Sequence, residues 1–489
     1  MPVTTLMPTK LHTTSSTVLS STSSPKSLEL NELLDGAPAA VPLYRGRKAV
    51  VVGAGPAGST AAMFLAKQGF MVEVFEKRPD PEDDPVDPGR AYIIILIPRG
   101  QSALEELKIP LPTDPNFLTQ GTVRHLPNGR LGITKEPGNV TFSRSGLAQF
   151  LISEARTRFP DNIKFHFNAT LDNLDITEKQ AEFQAAGGET MQRSYDLCIG
   201  ADGVGSKVRD FLRGFIPGFR VQISDSGREY KVYRSLRADI EPPEFKGKPG
   251  STLHLYTTKD PFTTVTAHSN PDGSYTGTFS LRAGGFDKLK TAADHETLLK
   301  GNFVGLPTEW IPEIAAQVAA ATPSSAGKRI KCSQINGPGI ILLGDAAHGV
   351  TPVFGQGANS ALESCRVLDE VLTKCNGVVE SVPPAFNTAR LEDVHALYEL
   401  DRKAFSFFAR RGPLDPDFLQ LLAHIALGTV LSKLVPFLYG DQPALAALGS
   451  RMPYSAILRA VRRDALAAAL GCVALLLLGA VKYAAGVVV

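Results

Sequence analysis

Gly53, Gly55 and Gly58 stand in G-x-G-x-x-G spacing, directly after the apolar run Ala49 to Val52 and before a helical pattern from Ser59 to Lys67. Phe70 to Phe75 form a second apolar run that ends in Glu76. Residues of these types in this order can grip a dinucleotide. The first glycine turns the chain tightly, the second lets the backbone approach a pyrophosphate, and the third lets helix and strand pack closely. Pro56 and Ala57 lie inside the same phosphate-binding stretch, at the positive end of the helix. Glu76 is placed to hydrogen-bond a ribose hydroxyl, with Lys77 beside it. An ordinary tight turn between strand and helix also uses glycine; strand, glycines, helix, strand and acid in order favour the dinucleotide.

These residues need a parallel sheet behind them, and the chain supplies further buried strands. Asp196 to Gly200 run into Ala201-Asp202-Gly203, and Ile340 to Leu343 run into Gly344-Asp345-Ala346-Ala347-His348. Asp345 before two alanines also suits a helix N-cap. Val140 to Ser143 read as a strand end, followed by Arg144 and a helix from Ser145 to Arg158; Asn359 to Thr373 and Ala389 to Arg411 have helical periodicity. From Tyr230 to Leu281 the pattern changes to strands rich in Thr, Tyr and Val, with the turn Asn270-Pro271-Asp272-Gly273. That shift marks a sheet-based region placed between pieces of the first. The expected architecture is α/β: a Rossmann-like domain over 46–225 and 325–411, and a β-sheet substrate domain over 226–324. Strands of the second domain are also expected within 110–142, and a helical or interfacial region over 412–463.

At 489 residues the chain is long enough for two or three subdomains, and a net charge of +2 argues against a nucleic-acid partner. Five scattered cysteines with no C-x-x-C pair argue against a disulfide framework or a zinc site, and no metal is expected. Both ends depart from the average. Residues 1–28 contain no acidic side chain and about half are Ser or Thr, which reads as a transit peptide or an unstructured tail within 1–45. Ala465 to Val481 are uncharged and mostly apolar, preceded by Arg459, Arg462 and Arg463. That reads as a membrane anchor over 464–489, on a plastid or mitochondrial membrane, or as a buried terminal helix.

Three motifs, VVVGAGPAGS, DLCIGADGVGSKVR and ILLGDAAHGVTPVFGQGANSALES, stand in this order. Together they resemble the class A flavoprotein monooxygenases, the family of para-hydroxybenzoate hydroxylase. The resemblance covers roughly Arg47 to Arg411. Gly89-Arg90, Pro98-Arg99-Gly100, PVFGQGAN and NFVGLPTEWIPEI make the chain similar to the kynurenine 3-monooxygenases within that family. The resemblance implies FAD as the bound cofactor and NADPH as a transient reductant. It places Asp345 on the ribityl chain, Asp202 and Gly203 on the FAD and NADPH side, Arg99 and Arg144 near the phosphates, and Arg90 near the isoalloxazine. Pro352, Gly355, Gln356 and Gly357 would face the flavin, with Ala358 and Asn359 also on the cofactor. No second G-x-G-x-x-G unit is visible, in keeping with a single nucleotide domain.

The implied reaction is hydroxylation of an aromatic small molecule with O₂, through a flavin C4a-hydroperoxide, with no side-chain nucleophile. Of the residues that hold an amino-acid carboxylate in kynurenine hydroxylases, Asn359 and Arg124 have counterparts. The tyrosines do not: Thr134 and Lys135 stand in one place, Lys403 and Phe405 in the other. A membrane-associated flavin-dependent reductase or epoxidase acting on a lipid or prenyl substrate is the rival expectation.

Overall fold

The computed structural model describes residues 42–83, 93–114, 117–136, 138–248, 250–270, 272–408, 415–434 and 448–487. The expected transit segment up to residue 41 lies outside them. Residues 42–45 do not belong with it: Tyr44 is buried, stacks on Phe70 and donates to the Leu372 carbonyl.

The chain begins its sheet at β1 (Lys48–Val52), whose apolar run is covered on both sides, and turns through the glycine loop into α1 (Pro56–Lys67) and β2 (Met71–Phe75). β3 (Ile93–Leu96) and α2 (Pro98–Glu106) follow, then β4 (Thr119–His125), β5 (Leu131–Lys135) and β6 (Val140–Ser143). Ser143 caps α3 (Arg144–Arg158), its hydroxyl accepting from Gly146 N–H at 3.0 Å. β7 (Ile163–His166) closes the parallel set, and β8 (Ala169–Asp175), β9 (Gln180–Ala185) and β10 (Thr190–Ser194) form a small antiparallel sheet. β11 (Leu197–Gly200) and α4 (Lys207–Phe215) return to the main sheet.

The middle of the chain adds β12 (Val221–Asp225), β13 (Arg228–Leu236), β14 (Ser251–Thr257), β15 (Thr264–Ser269) and β16 (Tyr275–Arg282). Two helices absent from the sequence reading come next, α5 (Ala292–Asn302) and α6 (Trp310–Ala320). After the short β17 (Ser324–Ser325), β18 (Lys328–Cys332), β19 (Asn336–Gly337) and β20 (Ile340–Leu342) lead to the one-turn helix α7 (Asp345–His348). The long helices α8 (Gln356–Cys375), α9 (Val382–Phe408), α10 (Pro416–Leu434) and α11 (Tyr454–Val487) complete it.

Two sheets carry the architecture. The first has the order β19-β20-β11-β1-β2-β7, parallel from β20 to β7. Strand order reverses at β1, the place where such sheets open a ligand crevice. The second has the order β17-β13-β16-β15-β14-β4-β5, so β4 and β5 join the inserted sheet through a parallel pairing with β14. Alternation gives this sheet two unlike faces. Tyr233, Tyr256, Val265, Ala267, Tyr275 and Phe279 form one, packed with Trp310, Ile314 and Val318 of α6 and Leu299 of α5 in a dry core. The register aligns polar rows on the other: Thr122, Leu253, His268 and Thr276, then Leu255, Thr266 and Thr278.

This polar face is tied to the first domain at both ends. At β4, Leu118 bridges Val140 of β6, and Thr141 Oγ1 donates to the Phe117 carbonyl at 3.1 Å. At β13, Arg228 shares a pocket with Pro352 and Val353. The face is therefore a roof over the crevice of the parallel sheet.

The C-terminal expectation needs correction. α11 starts inside the protein: Tyr454, Ile457, Leu458 and Val461 pack with Leu397, Leu400 and Leu421, and the buried Asp464 meets His424 at 2.7 Å. Among the described residues no helix is long and apolar enough to cross a membrane. Beyond Asp464 the same helix exposes Leu466, Leu470, Val473, Leu475, Leu476, Leu477, Leu478 and Val481.

Candidate active site

The cradle is set by what glycine leaves out. Gly53 has φ +101°, and a Cβ there would lie 2.5 Å from the Ala201 carbonyl oxygen. A Cβ on Gly58 would lie 1.8 Å from the Gly53 carbonyl oxygen. Around Gly55 a Cβ would meet nothing within 4 Å. Packing demands the outer two glycines; the middle one borders open space at the start of α1, where Pro56 and Ala57 begin the helix. Glu76 closes the cradle. Its Oε2 accepts from Ala54 N–H at 2.9 Å and its Oε1 from Arg78 N–H at 3.1 Å. Lys77 is exposed and lines an open pocket of about 380 Å³ with Asn168, Thr170 and Gln184.

Two further turns abut this loop. Gly344, φ +58°, comes close enough to Ala57 that a Cβ would lie 3.0 Å from the alanine Cβ, which sets Asp345 beside the cradle. Burial pushes the Asp345 carboxyl above the usual range, opposed by the Arg144 guanidinium. Among the described residues no donor bonds the Asp345 carboxylate, so its oxygens are available to a ligand hydroxyl. Asp202 is partly committed. Its Oδ2 accepts from the N–H groups of Lys207 (2.7 Å) and Val208 (3.2 Å) at the start of α4, and its buried Oδ1 has no partner among the described residues. Gly203, φ +79°, has open space around it.

The loop from Thr351 to Gly357 forms the floor opposite the roof. Pro352–Phe354 make a single 3₁₀ turn, and Gly355 in the left-handed region, φ +62°, opens α8. Pro352 and Gly355 are exposed and Gly357 and Ala358 half-buried. The first N–H groups of a helix lack intrahelical acceptors and favour negative charge. Asp401 of α9 holds this loop, accepting from Thr351 Oγ1 at 2.7 Å and from Arg329 Nε at 2.6 Å. One turn on, Phe405 meets Phe262 edge-on in the pocket that also holds Arg228, Pro352 and Val353. Arg228 escaped sequence reading because an arginine at a strand start has no pattern. Burial holds its pKa below the ordinary guanidinium value.

Several expected contacts are otherwise engaged. Arg99 is fully buried, bonded to Glu363 and the Met452 carbonyl, with its guanidinium 3.9 Å from the Tyr454 ring centroid. It braces α2, α8 and α11, while its buried Nε has no partner among the described residues. Asn359 is also fully buried: its amide donates to the carbonyls of Ile95 and Gly355 (both 2.9 Å) and accepts from Ile97 N–H at 3.1 Å. These bonds fix the floor loop to β3 and leave the amide no donor for a substrate carboxylate. Gln356 turns inward and accepts from Tyr454 Oη at 2.8 Å. Lys403 is taken by Asp417 (2.8 Å) and Gln420 (2.7 Å). Arg124 is exposed on β4, on the roof face beside Leu255, and Thr134 pairs with Thr122. Arg90 lies outside the described residues. His348 is buried against Ser364 Oγ at 3.1 Å, and burial holds its pKa down to about 3. Among the described residues no group of His, Cys, Asp and Glu could hold a metal.

With this geometry in hand, comparison with known proteins is informative. Residues 51–82 match the model of an NAD(P)-binding Rossmann-like domain. The kynurenine 3-monooxygenase of Legionella pneumophila (strain Corby) is 33% identical over 362 residues, covering 72% of this chain and 78% of that protein. That of Salinispora arenicola is 30% identical over 440 residues, covering 86% and 92%. Among solved structures, Klebsiella pneumoniae HpxO complexed with FAD and uric acid superposes with a TM-score of 0.59 at 18% identity, covering 86% of this chain and 98% of that one. The 2-methyl-3-hydroxypyridine-5-carboxylic acid oxygenase gives 0.57 at 20% identity, covering 76% and 95%.

Proposed function

Since this chain belongs to the kynurenine 3-monooxygenase family, we propose that it hydroxylates an aromatic small molecule with O₂, using FAD as bound cofactor and NADPH as reductant. The observation that carries this reading is the open space around Gly55, bordered by Glu76 and the available carboxylate of Asp345. It fits a diphosphate between a ribose held by Glu76 and a ribityl chain held by Asp345. FAD, when bound and reduced, supplies the activation of O₂ that the protein's own side chains lack. Everything else falls to the chain. The start of α8 favours negative charge on whatever ring lies against Gly357 and Ala358. Asp401 and Asn359 keep the floor loop in place, and the roof excludes water so that reactive oxygen meets the ring substrate first.

Kynurenine is one ring to test: Arg124 is exposed on the roof face for its carboxylate, but Asn359 and Lys403 are committed and Phe405 carries no hydroxyl. A buried carboxylate without hydrogen bonds costs about 1–3 kcal/mol or more per lost partner. The deciding experiment is a screen of NADPH oxidation by the FAD-loaded protein, with kynurenine beside anthranilate-like and phenolic rings and with product analysis under O₂. Bound FAD with no oxygen-dependent product from any ring would sink the proposal.

We also propose contact with an organelle membrane, plastid or mitochondrial, through the apolar turns of α11. Eight exposed apolar side chains between Leu466 and Val481, with Arg462 and Arg463 exposed just before them, support it. Deleting Ala465 onward should move the protein from the membrane fraction to the soluble one; a truncated form that stays on membranes would refute it.

A further inference from the structure

The roof carries one buried group whose chemistry the fold itself does not use. His268 is 5% exposed, and among the described residues neither of its ring nitrogens has a hydrogen-bond partner. Strand alternation decides which way it faces. Its neighbours Val265 and Ala267 belong to the core shared with α5 and α6, so His268 points to the opposite, roof side, in register with Leu253 and Thr276. The hydroxyls around it are already paired. Thr266 and Thr278 bond each other at 2.8 Å, and Thr276 accepts from the Asn270 amide at 2.9 Å. A buried imidazole with both nitrogens unpaired is costly to the fold unless something else meets it.

We propose that His268 is a specificity residue that hydrogen-bonds a hydroxyl substituent on the ring of the substrate, so that the substrate class is phenolic. The proposal rests on the aromatic-hydroxylase reading above. Its chemistry follows from the neutral imidazole, which presents one N–H donor and one bare nitrogen acceptor. Burial holds the ring neutral at ordinary pH, its pKa pushed down to about 4 against an opposing pull from the Ser269 backbone. A hydroxyl can donate to one such nitrogen or accept from the other. A carboxylate can only accept, and a methyl group can do neither. The row beside His268 offers Leu253 as an apolar neighbour for the ring itself.

The test uses the full-length, FAD-loaded protein and matched rings: 3-hydroxybenzoate against 3-methylbenzoate, and 3′-hydroxyacetophenone against 3′-methylacetophenone. Dissociation constants come from perturbation of the flavin spectrum, and KM and kcat from ring-stimulated NADPH oxidation. The wild type should favour each hydroxyl compound by about tenfold or more in Kd or KM. His268→Leu should erase or invert that preference while keeping flavin occupancy, and His268→Gln, which retains a donor and an acceptor, should preserve most of it. Rings that bind without discrimination, or discrimination that survives His268→Leu, would overturn this proposal alone and leave the hydroxylase reading standing. No response to any ring, in a protein that holds FAD, would overturn both.

Discussion

The cradle and the roof face each other across one crevice, yet they are built on different physical terms. In the cradle the backbone is the functional surface. Gly53 and Gly58 are required because any Cβ would strike a carbonyl, and Gly55 borders the space left for a ligand. In the roof the backbone only supplies a pleat, and function lies in which side chains alternate toward the crevice. Substitution in the cradle should therefore decide whether the site forms. Substitution in the roof should decide what it accepts.

The sharpest way to break this contrast lies within the cradle. Gly58→Ala forces a methyl to 1.8 Å from the Gly53 carbonyl oxygen. Loss of more than about 4 kcal/mol of stability is expected, read as a fall in the urea midpoint or as insoluble protein. Gly55→Ala adds the same methyl to open space. It should leave stability within about 0.5 kcal/mol and instead lower flavin occupancy of the purified protein. Equal stability losses for the two would show that the middle glycine is also a packing glycine.

Next in size is the brace behind the floor. Glu363 is nearly buried and serves two guanidinium groups, Arg99 and Arg390, the latter bonded at 2.7 Å. Glu363→Ala leaves both cations without this partner in a dry site and should cost about 3 kcal/mol, measured by urea denaturation. An unchanged midpoint would mean that Asp393, bonded to Arg390 at 2.9 Å, carries the network alone.

This contrast also explains what could be read without the structure. The cradle was legible because a tight turn, a close helix and a ribose contact each restrict residue type at fixed spacing, from Gly53 to Glu76. The inserted sheet was legible as a composition shift, and strands of it were expected within 110–142, where β4 and β5 lie; the parallel pairing of β4 with β14 is what no local pattern reveals. Helices α5 and α6 went unread although Thr291 and Asp294 form a capping box at the start of α5; the β-rich composition around them masked the signal. Arg99 and Asn359 both lie in the motifs, where polar residues can serve the ligand or the scaffold; their bonds to the scaffold depend on Glu363, Tyr454 and Ile95, remote in sequence. Tyr454, which meets both Arg99 and Gln356, came from a stretch with no motif at all.

Acid should weaken the fold through buried histidines before a carboxylate such as Glu73 matters. Burial depresses His125 and His268, both on the inserted sheet, to about 4, and His348 near the cradle to about 3, from 6.5. A depressed histidine is neutral in the fold and takes its proton more readily when unfolded. Its contribution is complete above about 6.5 and drains away as pH falls toward 4. Glu73, held down to about 2 chiefly by its hydrogen bond with His166, loses its share only between 4.5 and 2. The urea midpoint should therefore drop between pH 6.5 and 4.5, and His268→Leu should flatten that slope. A slope unchanged by this variant would assign the acid sensitivity to the other depressed histidines, His125, His348 and His395.

The smallest expected effect is the most discriminating for the roof. Thr278 and Thr266 exchange a hydrogen bond at 2.8 Å, and Thr266 Oγ1 also accepts from Thr278 N–H at 3.0 Å. Thr278→Val keeps shape, β-branching and the backbone bond, and removes one half-buried hydroxyl. The stability cost should be about 0.5–1 kcal/mol, visible only as a slight shift in the urea midpoint. Because the hydroxyl lies one row from His268 on the crevice side, the same change should alter relative KM values among ring substrates while FAD binding stays as it was. A variant that changes FAD affinity as much as ring selectivity would show that the roof also supports the cofactor, and the division of labour between the two surfaces would have to be redrawn.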